Sequence, residues 1–132
     1  MLENRILTIP ELEELLSDSV ILEKDSHGPK VYRLSGTRIL KLFRVRRLFS
    51  SNLWSPYSKR FARNSEHLLR LSIRSVTCIE QGKIPHLERQ YVIYDMLPGV
   101  PVRACETIDP IKLGWFFANL HHQGIYFRSC HL

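Results

Sequence analysis

Lys41 and Glu66 are the two side chains whose types and positions most clearly indicate chemistry in this sequence. Lys41 lies in the apolar run Arg38–Phe43, and a lysine flanked by Ile, Leu and Phe on a strand is typical of one that reaches nucleotide phosphates. Glu66 is the only acid between Lys30 and Arg74, a stretch that holds twelve Lys or Arg residues. A single carboxylate in so basic a stretch indicates a dedicated partner, so we expect Glu66, on the next helix, to orient Lys41.

Each of the two residues also has a simpler interpretation. A strand lysine can extend its amine to solvent while its methylene chain covers apolar surface. Glu66 has Arg63 three residues before it and Arg70 four residues after it, and such helix-surface pairs contribute about 0.2–0.5 kcal/mol each. The order of the predicted strands and helices that follow Lys41, given below, favours phosphate binding. The sequence alone leaves the simpler interpretation open.

The charge of the chain is concentrated in the stretch that contains both residues. The formal net charge is +6. Residues 30–74 hold twelve basic residues and one acid, whereas the rest of the chain holds seven basic and twelve acidic residues. This asymmetry predicts a face that meets an anion, such as phosphate groups, acidic lipid headgroups or nucleic acid. A solvated basic surface without a partner is the alternative.

Length and composition are those of a soluble protein of one domain. The chain has 132 residues, of which 44% are hydrophobic and 24% charged, so it can bury a core. No apolar run approaches the roughly 18 residues that cross a bilayer, and the first residues lack the apolar segment of a signal peptide. Three widely spaced cysteines predict no disulfide framework. We therefore expect a cytoplasmic protein.

The elements that must position Lys41 and Glu66 are a sheet and helices. Capping signals predict helices, with a Thr8–Glu11 capping box, Ser55 as cap before Pro56 as first helical residue, and an Asp109 cap. The expected helices are Pro10–Leu16, Ser55–Leu71 and Pro110–Gly124. Apolar runs between turn signals predict strands, at Ser19–Lys24, Lys30–Leu34, Arg38–Arg44, Val76–Gln81 and Gln90–Leu97. Short turns between them predict an α+β fold with an antiparallel sheet of about five strands.

Two further segments carry weaker signals. The turn Ser26–Pro29 occupies the place of a phosphate-binding loop, but it has one glycine, and Pro29 has no N–H to donate. An ordinary hairpin turn is the better interpretation. Cys130 and His131, with His121 and His122, lack the paired spacing of zinc ligands, so no metal site is predicted.

Residues 20–132 resemble the bacterial lipopolysaccharide-core (Kdo/heptose) kinase family, a kinase-like group, and look closest to its branch often labelled toluene-tolerance proteins. Four segments carry the resemblance, in the order Ile39–Phe43, Arg60–Asn64 leading to Glu66, Leu97–Gly99 and Leu120–Leu132.

The resemblance implies a protein-kinase-like amino-terminal lobe at residues 1–97, with an αC-type helix, and a hinge and the start of the second lobe at residues 98–132. It implies ATP and magnesium, with phosphoryl transfer to an envelope sugar. Lys41 would contact phosphates and Glu66 would orient it. The adenine edge would bind the backbone of Ile93, Tyr94, Asp95, Met96 and Leu97. The basic face would suit an anionic glycolipid and a position peripheral to the inner membrane.

Two departures from the family pattern bear on activity. In the catalytic loop H-x-D-x-x-x-x-N, Phe127 takes the His position and Ser129 the Asp position. Ser129 and His131 are the candidate catalytic residues here, but a serine does not accept a proton as a carboxylate does. The chain stops at Leu132, two residues before the expected Asn, so the magnesium ligands are expected beyond it. We therefore expect this chain alone to be inactive.

Two other functions stay open. One is a non-catalytic, pseudokinase-like nucleotide-binding module, which Ser129 favours. The other is a basic nucleic-acid-binding domain that uses residues 30–74, although interleaved exposed aromatics and a helix-turn-helix signature are lacking. Trp115, Phe116 and Phe117 make the helix Pro110–Gly124 apolar, so we expect it to mediate self-association or to pack on the sheet.

Overall fold

The computed structural model describes residue 2, residues 4–45 and residues 56–127. Three residues to which the sequence analysis assigned a role lie outside these described residues, namely the helix cap Ser55 and the candidate catalytic residues Ser129 and His131. The chain divides into two compact units, Met1–Leu97 and Pro98–Leu132.

The first unit consists of one sheet and two helices. Its elements are, in chain order, β1 (Asn4–Ile6), α1 (Ile9–Leu16), β2 (Val20–Asp25), β3 (Gly28–Arg33), β4 (Arg38–Arg44), α2 (Tyr57–Arg70), β5 (Cys78–Ile84) and β6 (Arg89–Asp95). The strand order across the sheet is β1-β5-β6-β4-β3-β2. All neighbours pair antiparallel except β1, which runs parallel to β5. The α+β class is confirmed, but the sheet is mixed and six-stranded, not antiparallel with about five strands.

Among the strands, β1 is the one that the sequence did not predict. All three of its residues are exposed, so it lacks the alternation that marks a half-buried strand. The next residue, Leu7, is buried in the core, and its N–H donates to the carbonyl of Lys83 at 2.9 Å. Gly82 permits the close approach, because a Cβ there would lie 1.9 Å from the carbonyl oxygen of Arg5. The position of β1 therefore depends on its contacts with β5 and on the burial of Leu7, not on a pattern in its own residues.

The main hydrophobic core lies between α1 and one face of the sheet. Leu12 of α1 is buried there with sheet residues that include Leu40, Ile84, Tyr91 and Ile93. The predicted capping box begins α1, since the Thr8 hydroxyl accepts from the N–H of Glu11, and the Glu11 carboxylate accepts from the N–H of Thr8 at 2.8 Å. This cap fixes the first turn and thereby the helical face that Leu12 presents to the sheet.

The helix α2 covers the opposite face of the sheet. The carbonyl of Pro56 accepts from the N–H of Arg60 at 3.0 Å, so Pro56 is the cap residue and not, as the sequence predicted, the first helical residue. Ser58 and Ser65 are the buried residues of α2, and the half-buried Phe61 lies between them in sequence. The spacing of these three residues defines the helical face that meets the sheet.

The second unit contains the helix α3 (Pro110–His122). The predicted cap is present, because the Asp109 carboxylate accepts from the N–H groups of Ile111 and Lys112 at 3.0 and 3.2 Å. Trp115 and Phe116 of α3 are exposed, so the apolar surface that self-association would need is present. No helix in the described parts of the chain is both long and apolar enough to span a membrane.

Ion pairs of Arg5 connect β1 to α1 and to β5. The guanidinium lies 2.9 Å from the Glu11 carboxylate and 3.3 Å from the Glu80 carboxylate. Glu80 also accepts a hydrogen bond from the hydroxyl of Tyr91. Hydrogen bonds from the side chain and the backbone of Thr8, and then from Arg5, lower the pKa of Glu11 to about 2. The ionised form of Glu11 is therefore the form that the fold stabilises.

Replacement of Gly82 by alanine tests the close approach of β1. The added methyl group would collide with the Arg5 backbone, and Tyr91 would lie 2.8 Å away, so we expect a loss of about 1–3 kcal/mol or more in the free energy of unfolding. Gly114→Ala is the matched control, because nothing lies within 4 Å of its Cβ position in α3, and it should stabilise the helix by up to about 1 kcal/mol. Urea denaturation measures both. Equal midpoints for the two variants would contradict the packing of β1.

The replacement Glu11→Gln tests the pH dependence of the α1 cap. Glutamine retains the capping-box hydrogen bond but has no charge. Because the pKa of Glu11 falls from 4.5 to about 2 on folding, its ionisation stabilises the fold above the unfolded pKa, and this contribution is lost as the pH falls toward 2. We expect the wild type to be more stable at pH 7 and the difference to shrink steadily below pH 4.5. Denaturation across that range measures it, and a constant difference would be the contrary result.

Candidate functional site

Lys41 lies in the middle of the sheet. It is opposite Val31 of β3 and Val92 of β6, and both valines are buried. Directly opposite residues in antiparallel strands share a face, so these valines form the apolar surroundings of the Lys41 stem. The side chain of Lys41 is itself half-buried.

Two aromatic rings hold the ammonium group of Lys41. Its Nζ lies 5.7 Å from the ring centroid of Phe43 and 5.7 Å from that of Phe61. Phe43 shares the face of Lys41 because it is two residues further along β4, and Phe61 comes from α2. A cation over an aromatic face gains about 0.5–1 kcal/mol. Lys41 therefore points toward α2, where a ring, not a carboxylate, contacts its ammonium.

Glu66 does not pair with Lys41 in this structure. Its carboxylate is exposed and accepts from the Arg70 guanidinium at 2.8 Å, which is the helix-surface pair that the sequence had left open. The reason is helical phase: Glu66 is five residues after Phe61, about 140° around the helix. The spacing of Ser58, Phe61 and Ser65 was the signal in the sequence that could have identified the sheet-facing side.

A cavity of about 490 Å³ lies next to Lys41, at the end of the sheet where β4 finishes and β6 begins. Its walls are formed by the tip of the β2–β3 hairpin, the end of β4, the first residue of α2 and the first residue of β6. The lining residues are Glu23, Asp25, His27, Gly28, Pro29, Lys30, Lys41, Leu42, Phe43, Arg44, Tyr57 and Arg89. The volume falls within the range of about 300–1,000 Å³ that is usual for small-molecule sites.

Positive charge exceeds negative charge in the lining of this cavity. The two carboxylates among the described lining residues both form ion pairs with Lys30. Its Nζ lies 2.8 Å from a carboxylate oxygen of Glu23 and 4.0 Å from one of Asp25. The hydrogen bond to Glu23 raises the pKa of Lys30. Lys41, Arg44 and Arg89 form no ion pair within the described parts of the chain. Three cations therefore remain for an anionic ligand.

The hairpin tip is an ordinary turn and not a phosphate cradle. The Asp25 carboxylate accepts from the N–H of His27 at 2.8 Å, and this bond is the main cause that lowers the pKa of Asp25. Gly28 adopts φ +103°, and Pro29 has no N–H. The amide group of His27 is thus already used. An anion in the cavity would be bound by cationic side chains more than by backbone amides.

The side chains of Ile93 and Tyr94, the first two of the predicted adenine-binding residues, point to opposite faces of the sheet. Ile93 is part of the core under α1, whereas the ring of Tyr94 packs 5.3 Å from that of Phe61. Burial raises the pKa of Tyr94. Both side chains are therefore structural, and any base contact there would come from the backbone.

The backbone of the predicted adenine-binding segment is partly engaged already. The N–H of Asp95 donates to the carbonyl of Thr77 at 3.2 Å, and the N–H of Met96 donates to the carbonyl of Thr37 at 2.8 Å. The side chains of Met96 and Leu97 are exposed. A base that bound at the end of this segment would thus use carbonyl groups or the N–H of Leu97, since the N–H groups of Asp95 and Met96 are occupied.

The carboxylates in the described parts of the chain form no cluster of metal ligands. In the parts of the chain that the structure describes, no group of three or more His, Cys, Asp or Glu side chains could hold a metal ion. Magnesium prefers carboxylate oxygens, and the carboxylates that line the cavity, Glu23 and Asp25, are both oriented toward Lys30. An anion at Lys41 would therefore be bound by the cationic side chains of this chain.

No protein-family model matches the chain, and neither a curated protein nor a solved structure matches it significantly. The likeness to lipopolysaccharide-core kinases accordingly rests on the sequence motifs themselves.

The contact that positions Lys41 can be tested with two variants of α2. Phe61→Leu removes one of the two rings, so we expect the ring-current shift of the Lys41 Hε resonances in a ¹H–¹³C NMR spectrum to decrease. Glu66→Gln should leave these resonances in place and should lower stability by no more than about 0.5 kcal/mol, because it removes an exposed helix pair. If Glu66→Gln moved the Lys41 resonances as far as Phe61→Leu does, the carboxylate would be the positioning group.

Proposed function

We propose that the first unit is a nucleotide-binding lobe of the kinase-like type, in which Lys41 contacts the phosphates. The observation that carries the proposal is the Lys41 ammonium, which lies at a cavity with four Lys or Arg side chains and has no carboxylate partner in the described residues. An unpaired cation that is partly removed from water loses solvation, and an anionic ligand would compensate for that loss. Phosphate is the anion that the family resemblance implies.

The order of the elements supports the same proposal. A three-stranded meander ends in the strand that carries the lysine, one helix follows, and two further strands lead to the break at Pro98 and Gly99. This is the order in which a kinase-like lobe presents its lysine strand, its helix and its hinge. Because β4 and β6 are neighbours in the sheet, Lys41 lies on the strand next to the one that leads to the break at Pro98.

The spacing along β4 also fits a nucleotide. Arg38 is opposite Asp95, in the proposed base-binding segment, and Lys41 is three residues further along β4. At roughly 3.3 Å per residue, the two positions are about 10 Å apart. A base near residues 93–97 and a phosphate near Lys41 would therefore lie along one line parallel to the strand.

A pseudokinase-like, non-catalytic module is the second candidate function. The pairing of Glu66 with Arg70 favours it, because Lys41 lacks the carboxylate that holds the phosphate-binding lysine in active kinases. Phosphoryl transfer to a sugar of the bacterial envelope, with an anionic glycolipid at the inner membrane, is the wider form of the first proposal. It rests on the family resemblance and on the basic stretch at residues 30–74.

The replacement Lys41→Ala tests nucleotide binding. We expect ATP to raise the melting temperature of the wild type, with and without magnesium, and Lys41→Ala to weaken the affinity by about tenfold or more, because a charge-assisted contact is lost. Lys59→Ala is the matched control, since Lys59 belongs to the same basic stretch but is exposed on α2 and does not line the cavity. Thermal-shift titration measures the three proteins. Equal ATP affinity in all of them would refute the site, and phosphate release that depends on Lys41 would refute the non-catalytic candidate.

A further inference from the structure

Arg44 and Arg89 form a pair of like charges at the cavity. They are directly opposite each other where β4 and β6 pair antiparallel. The pairing continues past them, since the N–H of Val45 donates to the carbonyl of Glu88 at 3.2 Å, so the two arginines are held in register. Like charges directly opposite on neighbouring strands destabilise a sheet. An anion between two such side chains would therefore stabilise this part of the sheet.

No acid of the described residues neutralises the two arginines. The lining carboxylates, Glu23 and Asp25, pair with Lys30. The pKa of Asp25 is lowered first by the N–H of His27 and then by Lys30, with a smaller contribution from Arg44, which places Arg44 near the acid without an ion pair. Arg89 is half-buried. Two guanidinium groups in this position provide several N–H donors for one anion.

The arginine pair lies further along β4 than Lys41, at the strand ends away from the base-binding segment. Arg44 is three residues beyond Lys41 on β4, on the side away from Arg38 and Asp95, and this step spans about 10 Å. Alternation along β4 places Arg44 and Lys41 on opposite faces. Both nevertheless line one cavity, whose lining includes the four consecutive residues of β4 from Lys41 to Arg44 and thus both faces of the strand.

We propose that Arg44 and Arg89 together bind the distal part of a polyphosphate chain whose nearer phosphate contacts Lys41. The ligand class is a nucleoside di- or triphosphate, bound through side-chain cations without a divalent metal. An anion between the two guanidinium groups would replace their repulsion by two attractive contacts. This inference rests on the proposed nucleotide-binding function and assigns the polyphosphate end of that site.

The test compares Arg44→Gln, Arg89→Gln and the double variant with the wild type and with Arg33→Gln, which alters an exposed arginine of β3 outside the cavity. Isothermal titration calorimetry with inorganic tripolyphosphate, orthophosphate, ATP and adenosine, in the absence of magnesium, measures affinity. We expect each cavity variant to bind tripolyphosphate and ATP about ten- to a hundredfold more weakly. Arg33→Gln should bind both as the wild type does.

The melting temperatures without ligand provide a second measurement. Removal of one arginine relieves the repulsion, so unliganded Arg44→Gln and Arg89→Gln should melt at the wild-type temperature or above it. If either arginine served only to stabilise the fold, its glutamine variant would melt at a lower temperature than the wild type. That result would overturn the proposal.

The outcomes separate this inference from the proposed function. If the double variant retained wild-type affinity for ATP and tripolyphosphate while Lys41→Ala lost ATP binding, the arginine pair would be excluded and the nucleotide site would stand. Orthophosphate that bound as tightly as tripolyphosphate would also overturn the inference, because a polyphosphate chain would not be distinguished. If the wild type bound neither ATP nor tripolyphosphate, both proposals would fail.

Discussion

The pairing of β4 with β6 is the interaction on which the rest of the first unit depends. Seven consecutive residue pairs join the two strands without a register shift. Leu40 and Ile93 are one of these pairs and lie in the core under α1, whereas the next pair, Lys41 and Val92, faces α2. A slip of one residue would exchange the two faces and bury the lysine in the main core. The register therefore places the apolar core and the charged cavity at the same time.

The electrostatics of this unit follow from which acids are already engaged. Glu11 and Glu80 pair with Arg5 near α1, Glu23 and Asp25 surround Lys30, and Glu66 meets Arg70 on the outer side of α2. Each pair forms between side chains that are close together on the surface. Lys41, Arg44 and Arg89 of the cavity are left without such a partner within the described residues, and this arrangement makes the cavity a candidate site for an anion.

Aromatic rings perform the positioning that the sequence assigned to a carboxylate. The ring of Phe61 contacts those of Phe43 and Tyr94 between the sheet and α2, and the Lys41 ammonium lies against the rings of Phe43 and Phe61. Cation–π contacts hold a lysine without neutralising its charge. The ammonium thus stays available to a second, anionic partner. A salt bridge with Glu66 would have neutralised part of the charge and so weakened the attraction of that partner.

The sequence by itself determined the α+β class, the order of the helices and strands from α1 to α3, the caps at Thr8 and Asp109, and the place of Lys41 on a strand, because these depend on local periodicity and capping. Only the tertiary structure decided that β1 joins the sheet, that Phe61 and not Glu66 contacts Lys41, and that Arg44 is opposite Arg89. The physical reason is that strand register and helical phase against a sheet arise from contacts between residues distant in sequence, which local patterns do not encode.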